Sequence, residues 1–323
     1  MEHSGSFVFC VGCPVHNGLK GWLLCMDKFD LKGQTLSESM HPIVDNASKN
    51  KSQAQISVVI PVHNQEMEIS SLLIKIKEVL NSTTQSYEIV VVNDGSYDNT
   101  LNVIQKEELL DSRIKIISYT PNRGKGHAVK TGVMQASGSI IIFVDGDFDI
   151  SHDKIKEYID ELKNCDLVIA SKRHPQSKVN APTSRIFLSR IFNLLVRLFV
   201  GIKIKDTQSG LKAGNGAALR MIFGVMLVKR YAFDVELLTI ATAMHLNIRE
   251  LPIEINLDHG FRIQDIAKML LDITAISYRH RIRRWYERQL LLLSPYAQRT
   301  KTRRKEEEAE REKIEGRQEK LFK

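Results

Sequence analysis

Acidic residues in this chain collect where apolar runs end. Ile56 to Ile60 leads into Pro61-Val62-His63-Asn64-Gln65-Glu66, a second run ends in Asn93-Asp94-Gly95-Ser96, and a third ends in Asp145-Gly146-Asp147-Phe148-Asp149. Carboxylates gathered at one rim repel each other unless cations or hydrogen-bond donors offset them. The spacing of Asp145 and Asp147 suits a hard divalent cation that also takes phosphate oxygens. Asp98 and Thr100 read as helix-capping residues instead. Asn122-Arg123-Gly124-Lys125-Gly126 precedes a helical stretch; its glycines allow close backbone approach, and a helix N-terminus favours anions. The GxxxxGK[ST] spacing of a Walker loop is absent. Arg185 and Ser189 stand one helical turn apart on one face. Arg190 and Arg197 read as solvated residues of an amphipathic helix.

These residues need a frame that brings strand ends together. Short β-branched runs at 56–60, 87–93, 113–119, 139–144 and 166–171 alternate with helical stretches such as 66–80 and 124–136. That alternation is the signature of an α/β fold, a mostly parallel central sheet with helices on both faces. The run at 139–144 is almost wholly apolar and is expected at the buried centre of the sheet. Ligands of such sheets bind beyond the carboxyl ends of the strands, where the acidic residues lie. The expected division is an N-terminal extension over 1–54, an α/β domain over 55–260 and a basic amphipathic segment with a charged tail over 261–323. Cys10-Val11-Gly12-Cys13, with His16 and Cys25 nearby, has zinc-like spacing but lacks a second CxxC pair, so an unstructured or mis-started N-terminus is the simpler reading.

Taken together, Ser57 to Pro61, the Asn93–Ser96 turn, Asn122–Gly126 and Val144–Asp147 resemble the family 2 glycosyltransferases of GT-A fold. Asp206-Thr207-Gln208-Ser209-Gly210-Leu211-Lys212 and Phe233-Asp234-Val235-Glu236-Leu237 look like the polyprenyl-phosphate branch. The wording around Asn122 and Phe233 is more similar to dolichyl-phosphate glucosyltransferases than to dolichyl-phosphate mannose synthases. The resemblance covers about residues 55 to 260. It implies that Pro61, His63 and Asp94 hold base and ribose of the nucleotide, with Glu66 and Lys125 beside them. His63 stands where the family has an aromatic, and Gln65 where it has Glu. Asp145 and Asp147 would hold Mg²⁺ or Mn²⁺ against the diphosphate, and Asp149 is either a third ligand or the N-cap of a following helix. Arg173, Arg185 and Ser189 would receive the acceptor phosphate. Asp206 would sit near the reaction centre, for orientation or as a base, and Asp234 and Glu236 read equally well as structural residues that pack a helix beside the site. The implied reaction is inverting hexose transfer from a nucleotide sugar to dolichyl or polyprenyl phosphate. UDP-glucose is the favoured donor and GDP-mannose the alternative.

The whole chain fits this reading. Its 323 residues carry 46 Lys and Arg against 38 Asp and Glu, a formal charge of +8 that suits anionic partners. Apolar residues at 43% and charged residues at 26% exclude a disordered or collagen-like chain, and four cysteines exclude a disulfide scaffold. Charges interrupt the apolar stretches at 186–200 and 263–278 before they reach membrane-spanning length. Both read as amphipathic helices at a membrane surface, the second followed by the basic, Trp-bearing run Arg279 to Tyr286. Peripheral attachment at the cytoplasmic face of a membrane is expected, as is loss of that attachment, with nucleotide-sugar binding retained, on removal of residues 279–323. The carboxylate rim argues against nucleic acid at the main site.

Overall fold

A computed structural model describes residues 54–83, 86–145, 154–208, 210–230, 232–256 and 263–292. The N-terminal extension with its cysteines, residues Asp147 and Asp149, and the charged tail lie outside these segments.

Seven strands form one sheet in the order β3-β2-β1-β4-β7-β5-β8: β1 Ile56–Val62, β2 Tyr87–Asp94, β3 Ile114–Tyr119, β4 Ile140–Val144, β5 Leu167–Ser171, β7 Leu211–Asn215 and β8 Ile248–Pro252. Two short strands, β6 Lys178–Asn180 and β9 Glu254–Asn256, pair in parallel elsewhere. Within the large sheet, β7 alone runs antiparallel to its neighbours, with Lys212 opposite Phe143 of β4 and Ile169 of β5. The apolar run of β4 sits at the centre of the sheet, as its composition demands. From β1 the chain builds outward to β2 and β3, then returns to place β4 on the other side of β1. The carboxyl ends of β1 and β4 therefore part around a crevice.

Helices cover both faces. Helix α1 (Ile69–Thr83) buries Ile69, Leu72, Leu73, Ile76 and Leu80, a helical stripe that gives one apolar face. Helices α2 (Thr100–Leu110) and α3 (Lys125–Gln135) follow β2 and β3, and α4 (Lys154–Glu161) leads to β5. Helix α6 (Gly216–Val225) and the almost fully buried α7 (Phe233–Ala243) share one face with α3, opposite α1 and α4. The C-terminal helices α8 (Ile263–Ser277) and α9 (Trp285–Leu292), joined by a wide turn at Tyr278–Ile282, belong to that core. Met269, Ile273, Ile276, Tyr286 and Leu290 are buried there, each aliphatic side chain stabilising by about 1.5–3 kcal/mol.

Helix α5 (Thr183–Phe199) differs. It buries Phe192, Asn193 and Val196, and turns a second apolar stripe outward. Phe187, Leu194 and Leu198 are 66%, 56% and 62% exposed, with Ile191 on the same face. Among the described residues no helix is long and apolar enough to cross a membrane.

Candidate active site

A cleft of about 520 Å³ opens beyond the ends of β1 and β2, lined by Pro61, His63, Gln65, Asp94, Lys125 and Arg230 among others. The buried Asp94 carboxylate shapes its floor. Its two oxygens accept the Arg123 N–H at 2.8 Å and the Gly124 N–H at 2.9 Å, so the end of β2 clamps the glycine-rich loop. Gly124 has φ +97°, and a Cβ there would stand 2.7 Å from the Lys229 carbonyl. Only glycine suits this conformation and this approach. Burial and Asp94 push the Tyr119 phenol pKa up, which keeps a neutral hydroxyl beneath the loop. The edge of the His63 ring meets Tyr97 at a centroid distance of 5.9 Å.

Asp145 stands at the end of β4, its N–H bonded to Gly210 O at 3.0 Å. Lys125, the first residue of α3, places Nζ 2.5 Å from Asp145 Oδ2. Next to this pair lies a more deeply buried one, Lys212 of β7 with Nζ 2.6 Å from Asp234 Oδ1 of α7. Burial pushes the Asp234 pKa up; Lys212 and Lys125 pull it back, and Asp145 adds to the rise. Asp145 is partly exposed, offers hard oxygens and already holds an ammonium, so its chemistry fits Mg²⁺ or Mn²⁺. Among the described residues no group of three metal-binding side chains is complete. The other expected ligands, Asp147 and Asp149, lie outside them.

Arginine and apolar surface meet on the other side. Arg173, two residues after β5, donates from Nη2 to the Ser189 carbonyl of α5 at 2.9 Å. Burial pushes its pKa down, Asp206 pulls it up, and the charges of Arg197 and Arg190 press it down again. Positive charge is thus concentrated there and an anion would relieve it. Arg190 and Arg197, expected only to face solvent, act on Arg173 through this field although both are exposed. Asp206 is buried and accepts the Lys172 N–H at 2.8 Å and the Gln208 N–H at 3.1 Å, with Lys172 Nζ at 3.0 Å. Burial opposes its ionisation, but Lys172 and these N–H donors outweigh burial and hold the carboxyl below its usual range. An apolar groove of about 100 Å³ runs between α5 and α8, lined by Leu188, Ser189, Phe192, Leu195 and Gln208 among others. Met269 lines both this groove and the polar cleft, so the two adjoin.

Residues 57–223 match the family model "Glycosyl transferase family 2". The chain belongs to this family. A dolichyl-phosphate beta-glucosyltransferase of Trichomonas vaginalis is 30% identical over 72% of this chain and 74% of that protein. The enzyme of the same description from Saccharomyces cerevisiae is 30% identical over 76% and 80%. A crystal structure of glucosyl-3-phosphoglycerate synthase from Mycobacterium tuberculosis with Mn²⁺, UDP and glucosyl-3-phosphoglycerate superposes with a TM-score of 0.54 at 20% identity, covering 71% of this chain and 80% of that one. The fold is GT-A, and the protein is a glycosyltransferase.

Within this glycosyltransferase, Pro61, His63, Asp94 and Lys125 share the cleft, Asp145 adjoins it through Lys125, and Arg173, Ser189 and Asp206 form the second cluster. Arg185 is half-buried one turn before Ser189. Glu66, expected beside the nucleotide, stands outside the cleft lining. Its Oε2 accepts the Asn99 N–H at 2.8 Å just ahead of α2, and Gln65 lines the cleft in its place. Asn64, with φ +55°, turns the chain between the strand and these two residues. Asp98 accepts the Thr100 N–H at 3.0 Å in the turn that leads into α2, whose N-cap position is Asn99. Sequence reasoning missed Arg230, Lys268 and Asp272 of the cleft and the pairing partners Lys172 and Lys212. Lys172 and Lys212 had a usable signal, since each adjoins a motif already singled out.

Proposed function

We propose that this glycosyltransferase moves glucose from UDP-glucose to dolichyl phosphate, with inversion and with Mg²⁺ or Mn²⁺, at the cytoplasmic face of a membrane to which it binds peripherally. The observation that carries this reading is the junction of a cation-lined polar cleft with an apolar groove at Met269, next to Arg173 and Ser189. A donor diphosphate suits the first compartment and a lipid phosphate the second. The names of the relatives support the glucosyl donor and the dolichyl acceptor.

A phosphate monoester is largely dianionic near neutral pH and is already a nucleophile. Its oxygen forms the bond to the anomeric carbon as the bond from that carbon to the UDP oxygen breaks, giving glucosyl phosphodolichol and UDP. The chain needs to align the two anions more than to move a proton. Arg173 and Arg185 attract and orient the acceptor, while Lys125 and the amide-rich start of α3 attract the donor. Asp206, held ionised, suits orientation of the Lys172–Arg173 segment better than proton abstraction. Asp145, with Asp147 and Asp149, would hold the metal ion, which when bound offsets charge on the leaving diphosphate. The outward stripe of α5, with Arg190 and Arg197 beside it, suits the headgroup boundary of a bilayer.

The test is transfer of label to extracted lipid from UDP-glucose or GDP-mannose, with dolichyl phosphate, with and without EDTA. EDTA-sensitive transfer from UDP-glucose is the expected result; transfer from GDP-mannose alone would overturn the choice of sugar. Arg185→Ala should raise the acceptor KM and leave the donor KM unchanged.

A further inference from the structure

The segment 226–230, between α6 and α7, forms a wall of the cleft at Arg230. It touches the glycine-rich loop directly. The Lys229 carbonyl accepts the His127 N–H at 3.0 Å, and a Cβ at Gly126 would lie 2.9 Å from the Arg230 carbonyl. Lys130 Nζ donates to the Met226 carbonyl at 2.8 Å. Arg230 itself lines the cleft.

One wholly buried carboxylate fixes this wall. Glu236 Oε2 accepts the Leu227 N–H at 3.0 Å and the Val228 N–H at 2.7 Å. Its Oε1 accepts the Tyr286 hydroxyl at 2.5 Å and Arg279 Nη2 at 3.2 Å. Arg279 Nε also donates to the Tyr286 oxygen at 3.0 Å. Both oxygens of Glu236 are thus in use, one by the cleft wall and the other by the C-terminal segment. A buried carboxylate with four donors is firmly placed and costly to disturb.

We propose that Glu236, anchored by Tyr286 and Arg279, is a positioning residue for the donor: it ties the C-terminal segment to the 226–230 wall and so holds Arg230 and the glycine-rich loop at the spacing that a nucleoside diphosphate requires. Neither Tyr286 nor Arg279 lines the cleft, so both act at a distance. This rests on the reading of the cleft as the nucleotide-sugar site. Removal of residues 279–323 then has an effect beyond loss of membrane attachment, because it deletes both anchors and weakens donor binding.

The experiment uses the full chain in detergent, titrated with UDP and with GDP in the presence of Mn²⁺, together with KM values for UDP-glucose and dolichyl phosphate and a melting curve. Tyr286→Phe, which removes one hydroxyl, and Arg279→Ala should each weaken UDP binding and raise the donor KM by roughly 3- to 10-fold. The acceptor KM and the kcat at saturating donor should hold, the pattern of lost ground-state binding. Arg279→Lys should recover part of the loss, and Glu236→Gln should show the largest effect if it folds. If Glu236→Gln does not fold, Tyr286→Phe and Arg279→Ala still decide. Unchanged UDP affinity in these two variants would overturn the proposal, as would donor and acceptor KM rising together with a falling melting temperature. Wild-type protein that binds neither UDP nor GDP would instead overturn the reading of the cleft, and this role with it.

Discussion

Two aspartate–lysine pairs flank the site, and they are held differently. Asp206, on the arginine side, has Lys172 Nζ at 3.0 Å and two backbone N–H donors besides. Asp234, on the cleft side, relies on Lys212 Nζ at 2.6 Å and lies in the field of Asp145. Both carboxylates are buried, yet the Asp206 pKa lies below its usual value and that of Asp234 above it. At Asp206 the Lys172 charge and then the backbone donors outweigh burial, whereas at Asp234 burial prevails over Lys212 and Lys125 and the Asp145 charge adds to it. Asp206 is therefore a permanent negative charge beside Arg173. Asp234 is a carboxylate whose ionisation burial opposes, beside Asp145 and Lys125, where the proposed donor and metal ion bring further charge.

The sharpest way to break this contrast is Lys212→Met. Lys212 is wholly buried, and its loss leaves Asp234 without its ion-pair partner at a cost of about 3–5 kcal/mol, measured by denaturant unfolding at pH 8. The sign of the pH dependence follows. Asp234 binds its proton more tightly when folded than when unfolded, and losing Lys212 strengthens that preference. The deficit of the variant should shrink as pH falls toward the folded pKa of Asp234. A deficit that stays constant as pH falls would show that Asp234 takes up no proton when Lys212 is lost, and so is held ionised by other groups as Asp206 is.

Asp145→Asn comes next and tests chemistry more than stability. Asp145 is partly exposed and its pairing with Lys125 contributes little to folding, so the melting temperature should stay close to that of the wild type. Lipid glucosylation should fall by about 10²–10³-fold, the scale of a lost charge-stabilising group. Retained turnover would detach the carboxylate rim from the reaction.

The contrast also marks how far the sequence could be read. The central place of β4, the turn at Asn93–Ser96 and the loop at Asn122–Gly126 were legible because each rests on local composition: an apolar run, a turn dipeptide, glycines before a helix. β7 was not expected as a strand, since Lys212, Gly214 and Asn215 interrupt its pattern; its place between β4 and β5 shelters the lysine and pairs it with Asp234. Gln65 stands where the resemblance has Glu, with Glu66 one step on, and residue type does not fix which of the two lines the cleft beyond the turn at Asn64. Arg230, Lys268 and Asp272 reach the cleft from elements more than a hundred residues beyond the loop they face, a distance that no local pattern spans. The hold of Tyr286 on Glu236 is long-range in the same way.

Lys172→Met completes the contrast with the smallest effect. Lys172 is 17% exposed, and Asp206 keeps the Lys172 and Gln208 N–H groups when the ammonium is gone. The loss is therefore the ammonium's bonds to Asp206 and to the Gln208 carbonyl, with the carboxylate still satisfied, about 1.5–3 kcal/mol and below that of Lys212→Met. Lys172 Nζ also bonds the Gln208 carbonyl, so its removal loosens the segment that borders the apolar groove next to Arg173. The acceptor KM should rise and the donor KM should stay, the reverse of the split expected for Tyr286→Phe. If Lys172→Met instead destabilises as much as Lys212→Met, the backbone N–H groups do not hold Asp206 ionised, and the two pairs are alike in kind.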